Sequence, residues 1–96
     1  MKIVKEALAG TVESSDLLVK IAPASELNVV ISSEVAKQFG DQIRSVVNDT
    51  LNALGVVAGL VIIEDKGALD CVIRARVQSA VLRAAQAEEI NWETLR

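Results

Sequence analysis

Histidine is missing altogether from this 96-residue chain, and cysteine and proline occur once each, as Cys71 and Pro23. Without His the commonest general base and metal ligand is gone, and a single thiol excludes both a disulfide framework and a thiolate zinc cage. Aromatics are almost as scarce. Phe39 and Trp92 are too few to stack nucleobases, and a net charge of −3 has the wrong sign for holding a phosphate backbone. Nucleic acid is therefore not an expected partner. The longest apolar run, Leu54 to Ile63, has ten residues, whereas a membrane span needs about twenty. No membrane partner is expected either, and the lone cysteine together with no recognisable signal segment suggests a cytoplasmic protein.

What is present is aliphatic. Half the residues are hydrophobic, 51%, so a core of Val, Ile, Leu and Ala excludes disorder and fills one small domain. Residues 7–14 alternate in the period of a strand, with small Ala9 and Gly10 allowing close packing, and residues 16–22 alternate again through Leu17, Val19 and Ile21. Between them Glu13-Ser14-Ser15-Asp16 has the composition of a tight turn facing water. Pro23 ends the second strand because it has no N–H for a ladder, and Leu27, Val29 and Ile31 mark a third. Ser33 is a candidate helix N-cap, with Glu34 favourable in the first turn. From there Val35, Phe39, Ile43, Val46, Val47, Leu51 and Leu54 form a helical stripe that Gly55 can end in a left-handed conformation.

Leu60 to Ile63 predicts a strand in the middle of a sheet or covered on both faces, and Asp65-Lys66-Gly67 a turn. Leu69 to Ala84 alternates at its beginning but reads as a helix over its full length, with Leu69, Val72, Ile73, Val77, Ala80, Val81 and Ala84 on one face and Asp70–Arg74 as an i,i+4 pair. The order is three antiparallel strands, helix, strand, helix. The expected fold class is an α+β two-layer sandwich with sequential hairpins and one helical crossover, comprising a domain over residues 1–86 and a polar tail over 87–96.

No phosphate loop, dinucleotide fingerprint or nucleophile-base-orienter set is present, so autonomous catalysis is not expected and neither a catalytic residue nor a metal ligand is assigned. Ser14 is the residue of interest. A hydroxyl on a turn between strands could accept a covalent group, although no neighbouring base suits its activation and a separate enzyme would have to supply one. Taken alone, the pattern favours the plainer reading, in which Ser14 and Ser15 serve turn geometry. Cys71, close to the apolar stripe, reads as inert packing. Arg74, Arg76 and Arg83 offer either a basic patch or solvated helix charges, and Trp92 either an interface anchor or a frayed end.

The sequence as a whole resembles the acyl carrier protein of citrate lyase, its gamma subunit. The resemblance is carried by Ala9-Gly10-Thr11-Val12-Glu13-Ser14-Ser15-Asp16, Ile21-Ala22-Pro23, Lys37-Gln38-Phe39-Gly40-Asp41, Asp65-Lys66-Gly67-Ala68-Leu69-Asp70-Cys71, Arg74-Ala75-Arg76 and Trp92-Glu93. It implies a non-catalytic carrier subunit of a hetero-oligomeric lyase, a phosphoprotein whose Ser14 holds phosphoribosyl dephospho-coenzyme A through a phosphodiester. Added by a prosthetic-group transferase, that arm would shuttle acetyl and citryl thioesters between the alpha and beta subunits. Gly10 and Ala9 are expected to leave room for the nucleotide. Ser15 stands where many family members have Gly. The alternatives are the carrier of a malonate decarboxylase-type complex, which has a similar hairpin serine, and a small regulatory or interaction domain.

Overall fold

The computed structural model describes residues 1–33 and 36–85, with side chains of 36–38 excepted. Trp92, Val35, Glu34 and the expected tail over 87–96 lie outside the described residues. The elements follow in the order β1 (Ala7–Gly10), β2 (Leu17–Ala22), β3 (Leu27–Ser33), α1 (Ala36–Ala53), β4 (Gly59–Asp65) and α2 (Asp70–Ala84). This is the α+β arrangement anticipated from the hydrophobic periods.

The four strands form one sheet in the order β1-β2-β4-β3. β1 pairs antiparallel with β2 in the register Ala9↔Val19, and β2 antiparallel with β4 in the register Val19↔Ile63. β3 and β4 are parallel, with Ile31 opposite Ile63. The first three strands alternate in direction, as expected, but β2 and β3 do not form a hairpin. β4 lies between them instead, because a parallel neighbour requires a long connection and α1 provides it. The crossover thus places β4, with Val61, Ile62 and Ile63 in succession, inside the sheet.

Strand alternation decides which face is covered. Ala9, Leu17, Val19, Ile21, Val61 and Ile63 are buried beneath the helices, while Leu8 and Val30 on the opposite face remain about half exposed. Each fully buried Val, Leu or Ile side chain contributes roughly 1.5–3 kcal/mol. From α1 the core receives Ile43, Val46, Val47, Leu51 and, just beyond its end, Leu54, and from α2 Ile73, Val77, Ala80, Val81 and Ala84. Two members of the expected stripes do not belong: Phe39 is 47% exposed and Leu69 71% exposed. Each lies at the start of its helix, before the stripe reaches the sheet.

α1 ends as its sequence predicts. Gly55 has φ +69°, its N–H donates to Asn52 O, and Val56 N–H donates back to Leu51 O, which is the pattern of a Schellman cap. Ser33 closes β3, and its hydroxyl donates to Asp65 Oδ2 at 2.8 Å.

Candidate functional site

Ser14 stands on the turn between β1 and β2, and residues 11–15 are all exposed. The turn is closed by Asp16 N–H donating to Glu13 O at 3.2 Å. Ser15 occupies its third position with φ +64°, a conformation that favours glycine. That explains why a glycine suits this position.

The turn is fixed from two sides. Ser15 N–H donates to Lys66 O at 2.8 Å and Lys66 N–H donates to Asp16 O at 2.9 Å, tying it to the end of β4. On the other side, Asp16 gathers the donors of its own loop. Its Oδ1 accepts from Leu17 N–H at 2.8 Å and Oδ2 from the Thr11 hydroxyl at 2.9 Å. Thr11 Oγ1 in turn accepts from Glu13 N–H. From α2, Arg76 Nε and Nη2 reach the two Asp16 oxygens at 3.1 and 3.0 Å, a bidentate pair. The Arg76 guanidinium, with help from the Leu17 and Thr11 donors, holds the Asp16 carboxyl below its ordinary value despite partial burial.

Gly10 completes the support, and here one expectation needs correction. A Cβ on Gly10 would lie 1.9 Å from Leu17 O and 3.2 Å from Arg76 Cδ, and φ is +90°. Ala9 is buried under the helices. These small residues make room for β2 and Arg76, not for a nucleotide.

A second carboxylate organises the neighbouring loop. Asp65 is only 1% exposed and faces the core beside Leu17. It accepts from Ser33 Oγ, from Gly67 N–H at 3.1 Å and from Ala68 N–H at 3.0 Å. Its buried oxygens are therefore satisfied while residues 65–68 are turned toward α2. Lys66, which holds the Ser14 turn, sits inside this loop.

The other candidates separate. Arg76 is occupied by Asp16, and Arg83 Nη1 donates to Leu8 O at 2.6 Å, so two of the three arginines buttress β1 and its loop, while Arg74 is exposed. Asp70 does not form the expected pair with Arg74 among the described residues. Its two oxygens instead accept from Gln42 Nε2 at 3.1 and 3.2 Å. Cys71 is exposed, contrary to the inert packing expected of it, because the second residue of α2 precedes the part of the helix that meets the sheet. Sequence reasoning also missed the structural work of Thr11, Asp65 and Arg76. The Thr11 and Asp16 pair flanking the turn was the one local signal.

Among the described residues no side chain accepts a hydrogen bond from Ser14 Oγ, and no group of His, Cys, Asp or Glu could hold a metal ion. The site is an exposed hydroxyl on a rigidly held tip.

Comparison with known proteins gives the chain a class. The model of an acyl carrier family described as malonate decarboxylase delta subunit (MdcD) matches residues 4–84. A chain of a Pseudomonas malonate decarboxylase hetero-tetramer, solved in complex with malonate, has the same fold with a TM-score of 0.74. It is 24% identical, over 85% of this chain and 86% of that one. The fold and the match together define an acyl carrier, a non-catalytic carrier domain.

Full-length relatives narrow the class. Citrate lyase acyl carrier proteins are 73% identical in Pectobacterium carotovorum subsp. carotovorum (strain PC1) and in Enterobacter sp. (strain 638), each over 99% of this chain and 99% or more of the relative. The same protein of Haemophilus influenzae (strain PittEE) is 55% identical over 99% of both chains. This chain belongs to the citrate lyase acyl carrier protein family.

Proposed function

We propose that Ser14 is where this carrier bears its prosthetic group, phosphoribosyl dephospho-coenzyme A, linked through a phosphodiester to Oγ. The observation that carries the reading is the exposure of Ser14 on a turn whose flanking backbone is fixed on both sides. A transferase can reach the oxygen without unfolding any element, and afterwards the attachment point stays in one place. The residues present fit such a group. Ser14 is exposed, and Asp16, a carboxylate of the turn, is paired with Arg76, so its repulsion of a phosphodiester is offset.

When bound, the group supplies a thiol on a long arm that forms thioesters. The chain's own part is mechanical. Ser14 anchors, Asp16, Thr11 and Arg76 keep the anchor from moving, and tethering raises the effective concentration of cargo at active sites on neighbouring subunits. Among the described residues no carboxylate accepts a hydrogen bond from Ser14, so activation of the hydroxyl falls to the separate transferase. The carrier then works as one subunit of a hetero-oligomer with citrate lyase alpha and beta subunits, exchanging acetyl and citryl cargo, as a phosphoprotein of the cytoplasm. No helix among the described residues is long and apolar enough to cross a membrane.

The test is Ser14→Ala in the assembled complex. The variant should keep its fold, since an exposed turn hydroxyl contributes within about 0.5 kcal/mol, while lyase activity should vanish. Undiminished activity would refute the assignment.

A further inference from the structure

A cavity of about 570 Å³ is lined by Phe39, Gln42, Ile43, Leu69, Asp70 and Cys71, with Gly67 and Ala68 completing its wall. Its size falls within the roughly 300–1,000 Å³ of small-molecule sites. The walls are of two kinds. Phe39 and Leu69, both well exposed, give an apolar surface that the core does not use. At the rim, Gln42 Nε2 is committed to the Asp70 carboxylate. That leaves Gln42 Oε1 and the remaining carboxylate lone pairs as acceptors.

The cavity is also within reach of the attachment point. Lys66 binds the backbone of Ser15 and Asp16, and its chain neighbour Gly67 lines the cavity. The path from Ser14 through Ser15 and Lys66 to Gly67 is at most about 13 Å in Cα steps. A phosphodiester and a ribose, with the nucleoside that follows, bridge a gap of this size. Gly67 has φ +92°, and a Cβ there would meet nothing within 4 Å, so the wall is open at this point.

We infer that this cavity seats the adenine of the prosthetic group, with the base against Phe39 and Leu69 and its exocyclic amine donating to the Gln42–Asp70 acceptors. The inference rests on attachment at Ser14. An apolar slot takes a base of any kind, but a rim of acceptors selects one that presents a donor, as adenine does at N6, and disfavours a base with a carbonyl there. Docking the nucleoside shortens the free part of the arm to the portion beyond it, so the thiol swings from the cavity mouth instead of from Ser14.

Cys71 provides the readout, because its exposed thiol lies in the cavity wall. Bare and loaded protein are treated with iodoacetamide, and alkylation of the Cys71 peptide is followed by mass spectrometry, separately from the arm's own thiol. Confirmed loading at Ser14 secures the reading on which the inference rests, and absence of loading defeats that reading alone. In loaded protein Cys71 should react at least fivefold more slowly than in bare protein, and Phe39→Ala should restore most of the rate. Equal rates in loaded and bare protein would overturn the cavity assignment. On bare protein, adenosine 5′-monophosphate at millimolar concentration should shift the amide resonances of Gln42, Leu69 and Asp70, while inosine 5′-monophosphate should leave them nearly unmoved. Equal shifts from both nucleotides would remove the role given to Gln42 and Asp70.

Discussion

Asp16 and Asp65 stand one strand apart at the same end of the sheet, yet they hold their loops by opposite means. Asp65 is inside, across from Leu17, and takes two backbone N–H groups and a serine hydroxyl. Asp16 is at the edge of solvent and takes a guanidinium, a hydroxyl and one N–H. A buried carboxylate fixes a loop through several short-range donors at once, so losing it removes their shared acceptor from a buried position. A partly exposed one works through a long side chain, and water can replace part of what is lost. The loops meet at Lys66, so the Ser14 turn is supported by a stiff foundation and a softer brace.

Substitutions should rank accordingly. Asp65→Ala removes the buried acceptor shared by Ser33 Oγ and the N–H groups of Gly67 and Ala68, and a loss of about 3 kcal/mol is expected in urea unfolding. A loss below about 1 kcal/mol would place the foundation elsewhere. Asp16→Ala should cost less, about 1–2 kcal/mol, but its hydrogen exchange should quicken selectively at residues 13–17. A double-mutant cycle between Asp16 and Arg76 should return about 0.5–1 kcal/mol of coupling.

Acid tests the Asp16 brace. Because the folded-state pKa of Asp16 lies below its ordinary value of 3.8, its contribution is present above that value and is lost as pH falls through the folded-state pKa. Asp16→Asn should therefore narrow its stability deficit relative to the parent as unfolding midpoints are measured from pH 5 downward. A constant deficit would show that ionisation is irrelevant to the brace. The smallest effect is expected at the tip itself. Ser15→Gly relieves the left-handed strain and should raise stability by about 0.5–1 kcal/mol, read as an increased urea midpoint.

The contrast also marks the limits of sequence reasoning. Periods of two and 3.6 give each element and the face it buries, so Val19, Val47 and Val77 were recognisable core residues. Strand order was hidden, because alternation in β3 tells which side faces the helices but not which strand lies alongside. The Asp16–Arg76 pair was hidden as well, since 60 residues separate its members and a charge carries no label of its partner. Asp65 was legible only as a turn former; its burial follows from register with Leu17 and Ser33. Ser14 was recognisable as a turn hydroxyl, whereas its choice as the modified residue drew on resemblance. Cys71 and Leu69 were misplaced because a helical stripe does not reveal where along the helix contact with the sheet begins.

The central claim is that a braced turn offers one hydroxyl, Ser14, to a separate modifying enzyme. Protein made together with that enzyme, fragmented and weighed residue by residue, tests it directly. The account predicts the full nucleotide-thiol mass on Ser14 and an unmodified Ser15. A bare chain, or the added mass on Ser15, would contradict it.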